Sequence, residues 1–183
     1  MEKALCHTQR RPPSLLHHSS IVLGSQTKRA PTNVYRLNPP IVEQGMSLPS
    51  PTEYYQRFKN DPETAKRTAY QQGQEWGKKL KASENIQGGT LESVAQMLNT
   101  TMRFVKGDQD ARVQGNTVIM TNNGFCAIMR AAMTLGIPWE WFDMNYAWPW
   151  LEGIVSTVRP DMKLKIVAAR SRGDNSCVHV FET

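Results

Sequence analysis

The sequence predicts an α+β domain in which helices pack on an antiparallel sheet. Helical periodicity in the first part of the domain changes at Ala111 to short segments typical of strands. These segments occur as two hairpins, and not as single strands that each alternate with a helix. Strands grouped in this way pair antiparallel, and helices then cover the sheet. The length of 183 residues suits one such domain with an extension.

Residues 1–45 differ in composition from the rest of the chain. They carry six basic and two acidic side chains, so +4 of the net charge of +6, and five of the eleven prolines. Their apolar clusters are short and aperiodic, so we expect this segment to be disordered. Three interpretations stay open: an organelle-targeting peptide, a dilute basic arm for an anionic partner, or an extension without function. The domain itself is predicted over 46–183.

Two helices are predicted first. Asp61-Pro62-Glu63 is a helix start, because it places a capping side chain, a proline at the first helical position and an acid near the positive end of the dipole. One stripe at helical spacing then follows: Ala65, Ala69, Gly73, Trp76, Gly77 and Leu80. Gly88-Gly89 is predicted to end this unit, and Thr90 to cap a second helix. The apolar face of that helix consists of Leu91, Val94, Ala95, Leu98 and Met102.

The remaining elements follow from turn residues and periodicity. Strands at 111–113 and 117–121 flank a Gln114-Gly115-Asn116 turn. Residues 125–135 are apolar almost all round, which predicts a buried helix capped by Asn122 or Asn123 and closed by Gly136. Residues 139–158 are predicted as two short helices broken at Pro149. Strands at 162–170 and 177–181 form the last hairpin.

Composition and spacing exclude several classes of protein. Residues 46–183 carry a charge of only +2, and the aromatic run 139–150 contains no Lys or Arg, so we expect no nucleic-acid partner. No apolar run reaches the ~20 residues that cross a bilayer. Three cysteines do not make a disulfide framework and fit a cytoplasmic location. The glycines lack the spacing of dinucleotide or phosphate loops.

Cys126 is the first candidate for chemistry. It falls in the first turn of the predicted helix 125–135, where backbone amides and the helix dipole favour a thiolate. A reactive cysteine is therefore one interpretation. The other is a structural cysteine, because Cys is among the most buried residue types.

Cys177 and His179 form a second candidate pair. They lie two residues apart in the last predicted strand and share a face with Phe181. They could form a thiolate–imidazole pair, or two ligands of a metal completed by Cys126 and by Asp143 or Asp174. The spacing is not specific for a metal, and we predict none. An ordinary half-buried strand face is the alternative.

The run 139–150 holds six aromatic residues in twelve positions. Such a density either fills a core or lines a pocket for a flat or apolar ligand, with Trp141 and Trp148 as the ligand-contacting candidates. Asp143 lies within this run. A carboxyl group among aromatic rings has a raised pKa and could act as a general acid or base, whereas a solvent-facing Asp143 would be a surface charge.

Four segments together resemble a known family. They are Asn122-Asn123-Gly124-Phe125-Cys126, Gly136-Ile137-Pro138, Trp150-Leu151-Glu152-Gly153, and Arg172-Gly173-Asp174-Asn175-Ser176-Cys177-Val178-His179-Val180-Phe181. The chain resembles the L-2-amino-thiazoline-4-carboxylic acid hydrolase family over roughly 60–182. It is also similar to 4-vinyl reductase domains, which share the Gly-Asp-x-x-Cys ending. The resemblance implies the ligand-binding fold found in trafficking-complex subunits and nitric-oxide sensors.

The resemblance also implies a function. It implies opening of a small cyclic C–N/C–S substrate, with Cys126 or Cys177 as nucleophile or ligand. Asp143 or His179 would carry the proton, and Asp174 matches a family position. Arg172 and Arg130 are candidate cations for a substrate carboxylate.

One departure from the family pattern keeps other functions open. The family often has a cysteine shortly before the acid of the middle helical region, where this chain has Trp141 and Phe142. The alternatives are a non-catalytic domain that binds an apolar or tetrapyrrole-type ligand, and a Trp-rich assembly subunit. The expected partners are a small-molecule ligand or substrate and, as one option, a second copy in a homodimer. The sequence specifies no cofactor.

Overall fold

The computed structural model describes residues 50–183. The expected disorder of residues 1–45 and the domain start at Met46 lie outside this range. The helices are α1 (Pro51–Phe58), α2 (Pro62–Ser83), α3 (Leu91–Val105), α4 (Ala127–Leu135), α5 (Trp139–Phe142) and α6 (Trp148–Ser156). The strands are β1 (Asp110–Gln114), β2 (Thr117–Asn122), β3 (Lys163–Ala168) and β4 (Cys177–Glu182).

The four strands form one antiparallel sheet in the order β1-β2-β4-β3. The α+β class and both hairpins are confirmed. In β4, Cys177, His179 and Phe181 are buried while Val178 and Val180 are less so, as the two-residue period predicts. Asn122 lies opposite Cys177, and Ile166 lies opposite His179. The central position of β4 brings its first residue close to the end of β2.

Helix α2 begins where the sequence predicts. The Asp61 side chain accepts a hydrogen bond from the Thr64 N–H at 3.1 Å, and Pro62 is the first helical residue. The predicted stripe is buried in full. The helix ends at Ser83, before the predicted end at Gly88-Gly89. Thr90 caps α3 through the Ser93 N–H at 3.1 Å, as predicted.

The predicted burial of the helix at 125–135 is wrong. Helix α4 starts at Ala127, its N-cap is Cys126, and its buried residues are Ala131 and Ala132. Phe125, Met133 and Leu135 are 42%, 70% and 46% exposed. The reason is that α4 packs against α5 and α1 along one stripe only. Its remaining apolar side chains therefore face outward.

The predicted break at Pro149 is also wrong. A π-helical turn, Asp143–Ala147, joins α5 to α6, and Pro149 lies in the first turn of α6. Proline has no N–H to donate to the carbonyl of residue 145. The Tyr54 hydroxyl, whose shorter hydrogen bond is to the Ala65 carbonyl at 2.5 Å, also lies within hydrogen-bond distance of that Asn145 carbonyl, at 3.3 Å. The helical segment therefore continues through the proline.

No helix within residues 50–183 has both the length and the apolar character needed to cross a membrane.

Candidate active site

The end of β2 determines where Cys126 lies. Asn122 pairs with Cys177 across the sheet, and its side chain organises the turn that follows. Its Oδ1 accepts from the Gly124 N–H at 2.9 Å, and its Nδ2 donates to the Phe125 carbonyl at 3.1 Å. Cys126 follows directly. The turn therefore brings the start of α4 to the same end of the sheet as Cys177.

The Cys126 thiol is buried at the helix N-cap. Its Sγ accepts a hydrogen bond from the Met129 N–H at 3.4 Å. The pKa of Cys126 is raised to about 11, mainly by burial; the amide hydrogen bonds oppose this rise, and the charges of Asp143 and Cys177 add smaller contributions to it. The expectation of a readily formed thiolate is therefore wrong. Desolvation outweighs the helix N-terminus at this position.

Cys177 is the second buried thiol, and both cysteines are unbridged. Its Sγ accepts from the Arg170 N–H at 3.4 Å. Burial raises the pKa of Cys177, and the Asp143 charge acts in the same direction. Each thiol therefore has Asp143 as an acidic neighbour, and each is protonated near neutral pH.

Asp143 is the first residue of the π-helical turn, and only 6% of its surface is exposed. Burial raises the pKa of its carboxyl group to about 6. Ser171, Trp139 and Arg172 favour the charged carboxylate and limit the rise, while Glu140 adds to it. The predicted raised pKa of Asp143 is confirmed. A carboxyl group that titrates near pH 6 can both accept and donate a proton under physiological conditions.

The β3–β4 connection packs against α5 beside this carboxyl group. The Arg172 Nε donates to Glu140 Oε1 at 3.1 Å, and its guanidinium lies 4.8 Å from the Trp148 ring centroid. Arg170 lies 6.0 Å from the Trp139 ring centroid and donates to the Gly124 carbonyl at 2.6 Å. These contacts join the connection to α5 and to the turn before Cys126.

Asp174 stabilises the connection itself. Its Oδ2 accepts from the Ala169 N–H at 2.7 Å, and Gly173 before it adopts a φ of +96°, which favours glycine. The carboxylate that was expected to contact ligand is thus occupied by the backbone. The Gly-Asp sequence of the tail has a structural explanation in this turn.

His179 does not pair with Cys177. The thiol of Cys177 accepts from Arg170, whereas the His179 Nδ1 has no hydrogen-bond partner among residues 50–183. Its ring lies edge-to-face with Trp148, at a centroid distance of 6.5 Å. Burial lowers the pKa of His179 to about 4, so it is neutral at pH 7. The thiolate–imidazole pair, which was one of the alternatives for these two residues, is not formed, because the two side chains have different neighbours.

The two predicted ligand-contacting tryptophans lie in different places. Trp141 packs edge-to-face on Tyr55 of α1, with a centroid distance of 4.9 Å. Trp148 lies between Arg172 and His179 and lines a surface groove of about 220 Å³. The exposed Arg130 is on α4. Trp141 thus packs against α1 and does not line the groove.

The turn after β2 places Cys126 at the same end of the sheet as Cys177, and the charge of Asp143 raises the pKa of both thiols. Within the described part of the chain, no three His, Cys, Asp or Glu side chains form a group that could hold a metal ion. Sequence reasoning did not identify Ser171 and Trp139 as residues that influence the pKa of Asp143. Trp139 belonged to the aromatic run that was singled out, whereas nothing in the sequence distinguished Ser171.

The fold and this site define an α+β domain with a buried cluster of two thiols and one carboxyl group. Compared with the models of known protein families and with curated proteins, the chain gives no match.

Proposed function

We propose that the protein is a hydrolase-like enzyme that opens a small ring containing C–N and C–S bonds, of the L-2-amino-thiazoline-4-carboxylic acid type. The observation that supports this is Asp143, a buried carboxyl group with a pKa of about 6 whose charge acts on two buried thiols. Nucleophilic catalysis by a thiol needs a neighbouring base. Asp143 is that base.

Asp143 would transfer a proton twice in the reaction. In its charged form it accepts the proton of the Cys126 or Cys177 thiol as the sulfur adds to the ring carbon between nitrogen and sulfur. One ring bond to that carbon then breaks, and the departing atom takes the proton back from Asp143. Water then attacks the same carbon and gives a proton to Asp143, and Asp143 passes this proton to the departing enzyme sulfur, which restores the thiol and releases the product. The pKa of about 6 suits both directions of transfer.

A substrate carboxylate would bind at the edge of the cluster. The guanidinium of Arg172 is exposed, lies over the Trp148 ring and pairs with Glu140. An exposed ion pair of this kind is worth ~1 kcal/mol or less, so a substrate carboxylate can replace Glu140 at low cost. Arg172 would then bind the ligand at a position from which it also lowers the pKa of Asp143.

This chain has Trp141 and Phe142 where the family often has a cysteine in the middle helical region, and this difference bears on the choice of nucleophile. Trp141 packs on Tyr55, and Phe142 is buried among Tyr54 and Tyr146. Neither position could present a sulfur, so a thiol mechanism requires Cys126 or Cys177. The order of helices and hairpins also supports the proposed resemblance of the fold to 4-vinyl reductase domains and trafficking subunits.

The test is hydrolysis of L-2-amino-thiazoline-4-carboxylic acid by the full chain, followed by mass spectrometry of a product heavier by one water. We expect turnover by the native chain and a loss of ~100-fold or more in Asp143→Asn, because a positioned acid–base contributes at least that factor. Cys126→Ala and Cys177→Ala identify the nucleophile as the variant without turnover. Glu63→Gln is the control, since Glu63 is an exposed residue of α2. No turnover by the native chain, or full turnover by Asp143→Asn, would contradict the proposal.

A second candidate function is that of an assembly subunit. Phe125 just before α4 and Met133 and Leu135 within it are exposed apolar side chains, and exposed apolar surface can mark protein contacts. Light scattering after size exclusion should then give more than one copy for the native chain and one for Met133→Lys, with Thr134→Lys as the control. A native monomer would count against self-association. The third function, binding of a tetrapyrrole-type ligand, has less support because the groove beside Trp148 is smaller than the ~300–1,000 Å³ of typical ligand sites.

A further inference from the structure

The turn between β2 and α4 has a hydrogen-bond partner for every backbone polar group of Gly124 and Phe125. The Gly124 N–H donates to Asn122 Oδ1 at 2.9 Å, and the Phe125 N–H donates to Asp108 Oδ2 at 2.7 Å. The Phe125 carbonyl accepts from Asn122 Nδ2 and from the Asp108 N–H, both at 3.1 Å. The Gly124 carbonyl accepts from Arg170 Nη1 at 2.6 Å. These bonds determine where the next residue of the chain, the N-cap of α4, lies.

The partners of this turn come from three separate parts of the chain. Asn122 is the last residue of β2, and Asp108 lies between α3 and β1. Arg170 lies in the β3–β4 connection, 46 residues after Gly124. Of the three partners, Arg170 is therefore the one that belongs to the connection before Cys177.

Arg170 also contacts the second thiol. Its backbone N–H donates to Cys177 Sγ at 3.4 Å, while its guanidinium binds the Gly124 carbonyl. The guanidinium lies 6.0 Å from the Trp139 ring centroid, within the range of a cation–π contact, so α5 restricts its position. One residue thus contacts the Cys177 thiol through its main chain and the turn before Cys126 through its side chain.

The β3–β4 connection has hydrogen bonds that do not involve this side chain. The Asp174 carboxylate accepts from the Ala169 N–H at 2.7 Å, and the Arg172 N–H donates to the Ala169 carbonyl at 2.9 Å. Neither bond uses the guanidinium of Arg170. We therefore expect that replacing the Arg170 side chain frees the turn before α4 and leaves the surroundings of Cys177 in place.

We propose that Arg170 is a positioning residue, which holds the turn before Cys126 against the connection before Cys177 and so fixes the two thiols relative to each other. A reacting group must be held close to its productive geometry by the hydrogen bonds around it, because small displacements lower the rate. The proposal rests on the proposed function only for the catalytic use of the thiols. The positioning itself can be measured without substrate.

The experiment is alkylation of the folded full chain by iodoacetamide at pH 8, followed separately on the peptides that contain Cys126 and Cys177. Arg170→Met keeps a long side chain and removes the donor. A buried thiol reacts when its surroundings open locally, and the loss of one hydrogen bond makes that opening easier. We expect Cys126 in Arg170→Met to react roughly two- to ten-fold faster than in the native chain. Cys177 should keep its native rate, because its hydrogen bond comes from a backbone N–H.

Two further variants separate the hydrogen bond from other effects. Arg170→Lys keeps a donor on a side chain of similar length, so it should restore a Cys126 rate close to the native one. Arg172→Met removes the same charge from the same connection, but the Arg172 side chain pairs with Glu140 and lies over Trp148. It is the matched control and should leave the Cys126 rate at its native value.

Three results would overturn the proposal. They are a native Cys126 rate in Arg170→Met, an equal acceleration of Cys126 and Cys177, and an Arg170→Lys rate as high as that of Arg170→Met. An equal acceleration would indicate a general loosening of the fold. Should Arg170→Met not fold, Arg170→Gln makes the same comparison, because its amide is on a shorter side chain that does not reach the Gly124 carbonyl.

The two proposals fail separately. If Cys126 reacts faster as expected but the native chain hydrolyses no ring substrate, the positioning role stands and the proposed function is wrong. If ring hydrolysis occurs but Cys126 is alkylated at the same rate in Arg170→Met and in the native chain, the function stands and the positioning role is wrong.

Discussion

The contact between α2 and α6 and the cluster around Asp143 bury their residues in opposite ways. At the helix contact, Gly73 and Gly153 let the two backbones approach, and the Trp76 and Trp150 rings pack at a centroid distance of 5.4 Å. The Asp143 cluster instead buries a carboxyl group and two thiols. The first arrangement stabilises the fold, whereas the second costs stability.

That difference distinguishes burial that stabilises the fold from burial that costs stability and therefore points to a function. Apolar surface removed from water contributes ~25 cal/mol per Å², so close helix packing needs no further explanation. A buried carboxyl group is unfavourable unless a ligand or a reaction uses it. The comparison therefore assigns stability to the helix contact and chemistry to the cluster.

The largest effect should come from filling the helix contact. In Gly153→Ala the added Cβ would fall on the Tyr70 carbonyl, a backbone group that cannot move aside. We expect a loss of roughly 3 kcal/mol or more in the free energy of unfolding, measured by urea titration, because overpacking forces backbone shifts.

Gly88→Ala is the control for that substitution. Its Cβ would meet the flexible end of Lys81 at 3.1 Å and the Val158 carbonyl at 3.3 Å, so the cost should be much smaller. Equal losses in the two variants would mean that close approach of α2 and α6 does not decide the stability.

The pH dependence of stability should differ in sign between Asp143→Asn and His179→Phe. The folded-state pKa of Asp143 is raised from 3.8 to about 6, so charging it as the pH rises through this window destabilises the fold. The folded-state pKa of His179 is lowered from 6.5 to about 4, so its stabilising contribution is lost as the pH falls through that window. Each of these two contributions changes the free energy of unfolding by about 3 kcal/mol at most.

In the native chain these two contributions oppose each other between about pH 4 and 6.5. In Asp143→Asn only His179 contributes to this pH dependence, so we expect the variant to lose stability on acidification relative to the native chain. In His179→Phe only Asp143 contributes, so this variant should gain stability on acidification relative to the native chain. Urea titrations at pH 4.5 and 7 measure both differences. Parallel pH profiles for the two variants would show that these side chains are not buried as described.

The smallest effect concerns the rate of thiol modification. The Asp143 charge contributes to the raised pKa of Cys126, so Asp143→Asn should increase the thiolate fraction and the rate of alkylation by iodoacetamide. We expect a roughly two- to five-fold increase at pH 8, followed on the peptide that contains Cys126. Glu63→Gln is the control. An unchanged rate in Asp143→Asn would show that the charge of this carboxyl group does not affect the pKa of the Cys126 thiol.

The two regions also differ in how far sequence predicts them. The buried stripe of α2 follows from helical spacing, and the capping by Asp61 and Thr90 follows from residue type. The pairing within β3 and β4 follows from the turn residues between them. These features depend on neighbours along the chain, so local patterns contain them.

The candidate site depends on contacts that local patterns do not contain. The β3–β4 connection lies against α5 through the contacts of Arg170 with Trp139 and of Arg172 with Glu140. Apolar composition predicted a buried helix at 125–135, but α4 contacts its neighbours through one stripe. The helix N-terminus predicted a reactive Cys126, but burial has the larger effect on its pKa. Burial and tertiary neighbours decided each of these cases.

The most direct test of the central claim is the pH dependence of kcat/KM for ring hydrolysis by the native chain. The proposed role of Asp143 predicts a rate that rises with pH through an apparent pKa near 6, as the carboxyl group becomes able to accept the thiol proton. Residual turnover in Asp143→Asn should lack this rise. A native rate that is flat between pH 5 and 8, or a rise that survives in Asp143→Asn, would contradict the claim that this buried carboxyl group is the working base.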